Sequence, residues 1–166
     1  LESVLGDADV VVDFTNADGA MEAMRTAAAR GVNVVIGSTG IPEAGVQEAD
    51  SLAREHEVGI MIAPNFALGA VVLKRLVEQA AGFFDYVDII ESHHEAKIDA
   101  PSGTALSIAR AMIEGRGSRF EQNVAELQTL ADTRGGDYQG INIHSARMQG
   151  RVARHEVVFG ALGQTL

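Results

Sequence analysis

The sequence predicts an α/β protein that begins with a parallel sheet and continues into a strand-rich second domain. Three short apolar runs rich in β-branched residues alternate with helical patterns, which is typical of parallel strands joined by helical crossovers. These runs are Val10–Phe14, Val32–Ile36 and Val58–Ala63. After a further helical pattern the chain becomes strand-rich, so we place the domain boundary near Asn65, between residues 1–65 and 66–166.

Two helices are predicted between the three strands. Ala20–Arg30 is rich in Ala, Met and Glu and is followed by Gly31, a residue that often ends helices. Pro42–Glu57 forms the second helix. The strands are apolar on both faces, so we expect helices to cover both sides of this sheet. In such sheets, ligands bind beyond the carboxyl ends of the strands.

Three loops are expected at that edge of the sheet. They are small and mostly polar, and they are Asp13–Thr15, Gly37–Thr39 and Ala63–Phe66. Together they suit a groove that holds a nucleotide, although each alone is more often an ordinary turn between strand and helix. The sequence contains neither a Gly-x-Gly-x-x-Gly fingerprint nor a Gly-x-x-x-x-Gly-Lys phosphate loop. Composition and spacing therefore permit a nucleotide cofactor without demonstrating one.

The second domain combines two helices with several strands. A helix is predicted over Ala67–Phe84, a strand over Tyr86–Ser92, and a long charged surface excursion over Gly115–Gly136. Two alternating runs, Ile141–Met148 and Arg151–Phe159, flank a Gln-Gly turn and predict an antiparallel hairpin. On those strands His144, His155 and Glu156 lack a local ligand cluster, so we predict structural or surface roles for them.

One stretch, Glu91–Ala105, concentrates groups that can do chemistry. It places two imidazoles and an amine within five residues, at His93, His94 and Lys97. The run before it has the alternating β-branched and aromatic character of a strand. Because neighbouring side chains on a strand point to opposite faces, we expect His93 and His94 to differ in role, unless a bulge turns both into one cleft.

A helix start follows these groups. Leu106, Ala109 and Ile113 have helical spacing, and Ser102 or Thr104 can cap the helix. The first backbone N–H groups and these hydroxyls form a seat for a carboxylate or a phosphate. Gly103 lets a ligand approach the backbone closely. Each feature alone has an ordinary structural explanation, and it is their joint occurrence that favours a functional site.

Composition excludes several classes of function. The chain has 166 residues, is 46% hydrophobic and carries a formal net charge of −10. Its scattered basic residues argue against a nucleic acid or an anionic membrane surface as partner. Without cysteine there is no disulfide framework, thiolate metal site or thiolate nucleophile. No apolar run reaches the roughly 18 residues of a membrane span, and no signal-peptide pattern occurs, so we expect a cytoplasmic protein.

A fifteen-residue pattern in the chemistry-bearing stretch resembles the signature of a known family. The pattern is Glu91-x-His93-His94-x-x-Lys97-x-Asp99-Ala100-Pro101-Ser102-Gly103-Thr104-Ala105. It is similar to that of the 4-hydroxy-tetrahydrodipicolinate reductases, also called dihydrodipicolinate reductases, of the diaminopimelate and lysine pathway in bacteria and plants. Further segments resemble the same family, namely Val12–Thr15, Ile36–Gly40, Ala63–Gly69 and His155–Gly160. The resemblance spans essentially the whole chain.

The resemblance implies a fold, a reaction and an assembly. Residues 1–65 are expected to be a partial Rossmann-like, dinucleotide-binding domain. Residues 66–166 are expected to be an α+β substrate-binding and oligomerisation domain with a mixed open sheet, through which the family forms a homotetramer. The implied reaction uses NADH or NADPH to reduce 4-hydroxy-tetrahydrodipicolinate, a heterocyclic dicarboxylate, to tetrahydrodipicolinate.

The resemblance also implies roles for individual residues. His93 corresponds to the family's acid/base histidine and Lys97 to its proton donor, and the sequence leaves open which of the two delivers the proton. Substrate contacts fall on His94, Ser102, Gly103 and Thr104. Cofactor contacts fall on Phe14, Thr15, Gly37, Ser38, Thr39, Ala63, Pro64, Asn65 and Phe66. No metal ligand is implied.

The ends of the chain differ from the family pattern. The family begins with a strand and a glycine-rich dinucleotide turn and finishes with another strand and a return helix. This sequence starts at Leu1 rather than Met and contains neither part. It stops at Gly163–Leu166, which has the pattern of the start of a strand. We therefore expect the chain to be part of a longer protein.

Two alternative functions stay open. One is a metal-dependent hydrolase in which His93, His94 and Glu95 serve as ligands or base. The other is a non-catalytic fragment that binds a dicarboxylate but no nucleotide. Metal content separates the first from a reductase, and separate titrations with a dicarboxylate and with NADH separate the second.

Overall fold

The structure is a computed structural model that describes residues 4–63, 65–123, 125–127 and 129–166. The chain divides into two compact units, residues 1–66 and 67–166. None of the helices in these described ranges is both long and apolar enough to cross a membrane.

The first unit alternates strands with helices. Its elements are β1 (Val10–Asp13), α1 (Ala17–Ala28), β2 (Asn33–Ile36), α2 (Glu43–His56) and β3 (Ile60–Ile62). Helix α1 begins three residues earlier than the helix predicted at Ala20, since Asn16 caps it by accepting a hydrogen bond from the Gly19 N–H. The polar run at residues 15–19 is thus the cap and first turn of a helix, where the sequence predicted a turn alone.

The first sheet is parallel, with strand order β1-β2-β3, as predicted. Right-handed crossovers between sequential neighbours place both helices on one face, where Val34 and Ile36 are buried. On the other face, Val12 and Met61 are 58% and 56% exposed. The prediction that helices cover both faces is therefore wrong for the described residues, because consecutive strand order sends both crossovers to the same side.

The second unit begins with a helix and ends with strands. Its elements are α3 (Leu68–Ala80), a 3₁₀ turn (Ala81–Phe83), β4 (Tyr86–His93), α4 (Gly103–Arg116), β5 (Gly136–Tyr138), β6 (Ile141–Arg147), β7 (Ala153–Ala161) and β8 (Gln164–Thr165). Helix α3 ends at Ala80, so the helix predicted over Ala67–Phe84 is one 3₁₀ turn shorter than expected.

Strand β4 lies at the centre of a mixed five-stranded sheet of order β5-β6-β4-β7-β8. It runs parallel to β6 and antiparallel to β7. The hairpin predicted between Ile141–Met148 and Arg151–Phe159 is therefore wrong, because β4 separates these two strands and pairs with each of them. An alternating pattern defines the two faces of a strand, but it does not identify the strand's partners.

Helices α3 and α4 cover one face of this sheet. Val77 of α3, Met112 of α4 and Ile89 of β4 lie in the core with Phe159 of β7. The side chains that alternate with the core residues lie on the opposite face, where Ile90 is 44% exposed. Within the described residues that face carries no helix, so the predicted mixed open sheet is confirmed.

The segment after α4 is only partly a surface excursion. Phe120 is 1% exposed and packs into the core, while the Arg116 guanidinium lies 4.9 Å from the centroid of its ring. Arg116 also donates hydrogen bonds to the carbonyl oxygens of Ala81 and Phe84. The prediction of a surface excursion over Gly115–Gly136 is therefore wrong near its start, where the Phe120 side chain is part of the core.

Candidate functional site

Strand β4 carries the predicted acid/base histidine at its last residue. His93 lies on the helix-covered face with Glu91 and Ile89, and its side chain is 10% exposed. His94 follows the strand and is exposed, and its carbonyl oxygen accepts a hydrogen bond from the Lys97 N–H at 3.1 Å. The two adjacent histidines therefore have different surroundings, in agreement with the expectation from strand alternation.

Glu91 connects three elements around His93. Its side chain is fully buried, and its Oε2 lies 2.5 Å from Nδ1 of His93. Two nitrogens of Arg147 donate to the carboxylate, Nη1 to Oε2 at 3.0 Å and Nη2 to Oε1 at 2.8 Å. The Ser102 N–H donates to Oε1 at 3.2 Å. One carboxylate thus joins β4, β6 and the start of α4.

The hydrogen bonds keep this carboxylate ionised despite its burial. Burial alone would raise the pKa of Glu91, yet hydrogen bonds from Arg147, Ser145, His93 and Ser102 outweigh it and lower the pKa to about 2. Hydrogen bonds from a bidentate guanidinium are among the strongest that a carboxylate accepts in proteins. The group is therefore an anion throughout the neutral pH range.

Arg147 links this carboxylate to the loop before α4. Besides its two bonds to Glu91, its Nη2 donates to the Asp99 carbonyl oxygen at 2.6 Å and its Nη1 to the Ala146 carbonyl oxygen at 2.8 Å. Its Nε is buried, with no partner among the described residues. The guanidinium therefore holds both Glu91 and the backbone that leads to the helix start.

His155 belongs to the same cluster. Its ring meets the ring of His93 edge to face, with centroids 5.3 Å apart, and its Nε2 lies 3.1 Å from Oγ of Ser102. Burial, then the neighbouring charges of His93 and Lys97, lower the pKa of His155. The sequence pattern predicted a structural or surface role for His155. In the structure β7 pairs with β4, and this pairing places His155 opposite Glu91, within the cluster.

Lys97 lies beyond the strand in the loop that leads to α4. Its Nζ is 2.6 Å from Oδ1 of Asp99, and the two side chains are 24% and 49% exposed. The hydrogen bond from Lys97 lowers the pKa of Asp99 most, and a bond from the Gly103 N–H adds to it. The Asp99 carboxylate thus accepts hydrogen bonds from the Lys97 ammonium and the Gly103 N–H, two donors that an anionic ligand would also use.

The start of α4 has the predicted cap. Ser102 is 2% exposed, and its Oγ accepts a hydrogen bond from the Ala105 N–H at 3.2 Å. A Cβ added at Gly103 would meet nothing within 4 Å, so the backbone there faces open space. Thr104 follows on the first turn and is partly buried. Substrate contacts by His94, Ser102, Gly103 and Thr104 stay predictions.

Three residues of the cluster received no role from the sequence, namely Glu91, Arg147 and His155. Period-two spacing could have placed Glu91 on the face of His93. Arg147 and His155 lie on strands paired with β4 at long range. No local pattern announces such pairing, so these two could not have been found from the sequence.

In the first unit, the predicted cofactor loops follow the carboxyl ends of the strands. Asp13 is 6% exposed and accepts hydrogen bonds from Oγ of Ser38 at 2.6 Å and from Oγ1 of Thr15 at 2.8 Å. These bonds tie the loop after β1 to the loop after β2. Ser38 is itself buried, so its hydroxyl serves this tie.

Two aromatic rings lie at the same edge. Phe14 and Phe66 are 63% and 52% exposed, and their ring centroids are 5.3 Å apart. A Cβ added at Gly37 would come within 2.2 Å of the Phe14 ring. The Phe14 ring therefore packs on the Gly37 backbone. Exposed rings at the carboxyl ends of parallel strands fit the flat ring systems of a dinucleotide. Thr39, Ala63 and Asn65 line the remaining loops, and Pro64 lies outside the described residues.

One cavity of the second unit lies apart from His93 and Lys97. A cavity of about 540 Å³ lies between the Ala100–Pro101 segment, Leu106 and strands β5 and β6, and neither His93 nor Lys97 lines it. Across the described ranges, no three His, Cys, Asp or Glu side chains converge to hold a metal ion. His93, His94 and Glu95 therefore do not form the metal centre of the hydrolase alternative.

Comparison with known proteins identifies relatives over both units. A family model described as "Dihydrodipicolinate reductase, N-terminus" matches residues 1–66, and one described as "Dihydrodipicolinate reductase, C-terminus" matches residues 69–166. A 4-hydroxy-tetrahydrodipicolinate reductase of Dehalococcoides mccartyi is 46% identical, over 100% of this chain and 63% of its own length. One of Geobacillus kaustophilus is 45% identical, over 95% and 60%. The chain thus spans about 60% of the length of these curated relatives.

Solved structures agree with this relationship. A dihydrodipicolinate reductase of Paenisporosarcina sp. TG-14 with bound dipicolinate matches with a TM-score of 0.78 and 39% identity, over 95% of this chain and 60% of that chain. An apo scyllo-inositol dehydrogenase of Lactobacillus casei matches with a TM-score of 0.54 and 10% identity, over 99% and 57%, which shows the fold alone. Since family models account for both units and relatives share nearly half of the residues, the chain belongs to the dihydrodipicolinate reductase family.

Proposed function

We propose that this chain forms part of an enzyme that reduces 4-hydroxy-tetrahydrodipicolinate to tetrahydrodipicolinate with NADH or NADPH, in diaminopimelate and lysine biosynthesis. The observation that carries the proposal lies in the family-matched second unit, where Glu91 joins His93 to Ser102 and Asp99 joins Lys97 to Gly103 at the start of one helix. Curated relatives bear the reductase name, and the solved relative binds dipicolinate. Both facts support a heterocyclic dicarboxylate as substrate.

The charges of the site suit such a substrate. The protein has a formal net charge of −10, so a dianion must be captured by local groups against the overall field. Lys97 brings an ammonium group and the start of α4 brings the Gly103 N–H, and the Asp99 carboxylate that bonds both stands where an anionic ligand would bind. His94 is exposed beside them and adds a further donor. These are the groups to which we assign the substrate carboxylates.

The first unit is proposed to hold the cofactor. Its residues fit a dinucleotide through the exposed rings of Phe14 and Phe66, with Thr15, Gly37, Thr39, Ala63 and Asn65 in the same loops. A bound nicotinamide cofactor supplies the hydride for the reduction. Ser38 supports this edge through its bond to Asp13.

The second unit is proposed to supply the proton. The 4-hydroxyl leaves as water to give an unsaturated ring, hydride transfer to one ring carbon then requires a proton at the adjacent position, and a positioned acid delivers it. His93 and Lys97 are the two candidates, since a histidine titrates near neutrality and a lysine next to a dianion serves as countercharge and acid. Either group acts from the loop and strand end that surround the Ser102–Thr104 turn.

We further propose that the enzyme is cytoplasmic and assembles as a homotetramer through the open face of the mixed sheet. Half-exposed apolar residues such as Ile90 on that face, beside the Arg154–Glu156 ion pair, support an interface between identical copies. Sedimentation measurements of mass test this assembly, and a monomer at high protein concentration would contradict it.

The reductase assignment is tested by turnover and binding. Purified protein is given 4-hydroxy-tetrahydrodipicolinate with NADH or NADPH, and loss of the reduced nicotinamide absorbance is followed. Calorimetric titrations with pyridine-2,6-dicarboxylate and with NADH are made separately. Turnover supports the proposal. Binding of the dicarboxylate without nucleotide binding would favour the non-catalytic alternative, and binding of neither would contradict both.

A further inference from the structure

The chemistry of the Glu91–His93 contact defines the protonation of the imidazole. An ionised carboxylate can only accept hydrogen bonds. Since Oε2 of Glu91 lies 2.5 Å from Nδ1 of His93, the hydrogen in that bond belongs to Nδ1. The other ring nitrogen, Nε2, is then the one that can take up or release a proton.

We propose that Glu91 is a positioning residue for His93, which holds the Nδ1–H tautomer so that Nε2 exchanges the proton with the substrate. This inference rests on the acid/base role proposed above for His93. It assigns Glu91 no contact with the substrate, because its side chain is fully buried. It acts on the proton transfer through the imidazole.

Arg147 makes this arrangement durable. Its two bonds to Glu91 neutralise the buried charge and leave Oε2 shared between the guanidinium and the imidazole. Breaking such a pair on one side would leave an uncompensated buried ion. The carboxylate therefore cannot rotate away from His93 without losing Arg147 as well, and the ring orientation is held by charge as well as by packing.

The other charged and titratable groups around His93 come from the neighbouring strands and from the loop after β4. Glu91 faces it from β4, Arg147 from β6 and His155 from β7, and Lys97 lies in the loop beyond the strand. Glu91 is the anion in contact with the ring. It therefore stabilises the imidazolium that forms when Nε2 takes up a proton, while His155 stays neutral beside it.

The same carboxylate also aligns the substrate seat. The Ser102 N–H bonds Oε1 of Glu91 at 3.2 Å, and Arg147 holds the Asp99 carbonyl oxygen at 2.6 Å. The acid/base ring and the start of α4 are thus registered to one another through Glu91. A merely structural ion pair would fasten the strands, but it would not set which imidazole nitrogen carries hydrogen.

The tautomer is measured directly by nitrogen NMR of ¹⁵N-histidine-labelled protein at alkaline pH, where imidazoles are neutral. Replacing each of the five histidines in turn assigns the signals. We expect a protonated Nδ1 and a bare Nε2 for His93, and loss of this preference in Glu91→Gln. A wild-type His93 that carries its hydrogen on Nε2 would overturn the proposal, whatever the activity.

Kinetics provide the second readout. In Glu91→Gln we expect kcat to fall by on the order of 10²-fold or more with little change in KM, since the acid/base contribution is lost while the substrate groups remain. The alkaline limb of the kcat profile, where a proton donor is lost, should move to lower pH, because the imidazolium loses its anionic partner. Unchanged kcat, pH profile and tautomer in this variant would refute the role.

Two further variants separate positioning from folding. Glu91→Gln combined with Arg147→Gln removes both buried charges, so it replaces the single variant if that one fails to fold. Glu78→Gln breaks the exposed 3.2 Å pair with Arg75 on helix α3 and should leave the tautomer and kcat unchanged. If the protein shows no reductase activity, the proposed function fails, and the NMR result alone decides for or against the assigned tautomer.

Discussion

The rings of His93 and His155 meet edge to face, with centroids 5.3 Å apart and planes inclined at 75°. The two residues come from β4 and β7, whose antiparallel register sets His155 opposite Glu91. Burial lowers the pKa of His155, and the His93 imidazole so close to it lowers that pKa further. The site therefore contains one histidine bonded to a carboxylate and a second one held neutral beside it.

A pH dependence of stability follows from His155. Its pKa is lowered in the folded protein, first by burial and then by His93 and Lys97, whereas the unfolded value is about 6.5. As pH falls below about 6.5, the unfolded chain takes up this proton first, so the free energy of unfolding decreases. Above about 6.5 the imidazole is neutral in both the folded and the unfolded state, so it does not lower the free energy of unfolding there.

We expect His155→Gln to flatten this dependence. Denaturant unfolding at a series of pH values from about 7 down to about 5 measures the slope. His94→Gln removes an exposed histidine close to the same site and serves as the matched control, with a slope like that of the wild type. Equal slopes for His155→Gln and the wild type would show that His155 is not the group responsible.

Replacing His93 or Lys97 should reduce turnover. We expect His93→Ala and Lys97→Ala each to lower kcat by about 10²- to 10⁴-fold, the range for a lost general acid or base. Stability should change little for Lys97→Ala, because the Lys97–Asp99 pair is partly exposed and such pairs contribute about 0–1 kcal/mol. Steady-state kinetics and thermal unfolding check the two expectations, and wild-type rates from both variants would remove these residues from catalysis.

The sequence predicted the parts of the fold that depend on local pattern. The three parallel strands, the helices between them and the helix start at Ser102 are all present, and so is the mixed open sheet, which the family resemblance implied. Burial alternates along β4 so that Glu91 and His93 share one face. Period-two and period-3.6 patterns encode these features directly, and the family resemblance supplied the order of the parts.

Errors arose where distant segments meet. The pattern of β6 and β7 suggested a hairpin because the strands are close in sequence, yet β4 inserts between them. The same insertion brings Arg147 and His155 to Glu91, so the error in pairing hid two members of the site. The parallel sheet was predicted to be covered on both faces because its strands are apolar throughout, although consecutive strand order sends both helices to one side.

Removing the Asp99 carboxylate should strengthen binding of a dicarboxylate. Asp99 occupies Lys97 at 2.6 Å and bonds the Gly103 N–H, two groups that we assign to the substrate. In Asp99→Asn the ammonium is free to pair with the ligand. Since a partly exposed ion pair contributes about 0.2–1 kcal/mol, we expect the Kd for pyridine-2,6-dicarboxylate to fall by about 1.4- to fivefold.

Calorimetry measures this Kd, and a double variant provides the control. In Asp99→Asn combined with Lys97→Met there is no ammonium to release, so the gain in affinity should disappear. Glu95→Gln removes one negative charge from the same loop and tests for a general electrostatic effect. Weaker binding by Asp99→Asn would show that the carboxylate organises the loop instead of competing with the ligand.

Close packing of α3 against α4 makes Gly115 sensitive to substitution. A Cβ at this position would lie 2.1 Å from the Glu78 carbonyl oxygen, an atom of the facing helix backbone. A helical Gly→Ala change normally stabilises by about 0.5–1 kcal/mol, but overpacking against atoms that cannot rotate away costs about 1–3 kcal/mol. The steric cost exceeds the gain in helix propensity, so we expect Gly115→Ala to lower the free energy of unfolding.

Gly82→Ala provides the matched comparison, because a Cβ there would meet nothing within 4 Å. It should leave the free energy of unfolding nearly unchanged or raise it slightly, since only chain entropy is affected. Denaturant unfolding of the two variants side by side measures the difference. An increase in stability for Gly115→Ala would mean that α3 and α4 can separate at little cost, and α4 would then be a poorer support for the Ser102–Thr104 turn at its start.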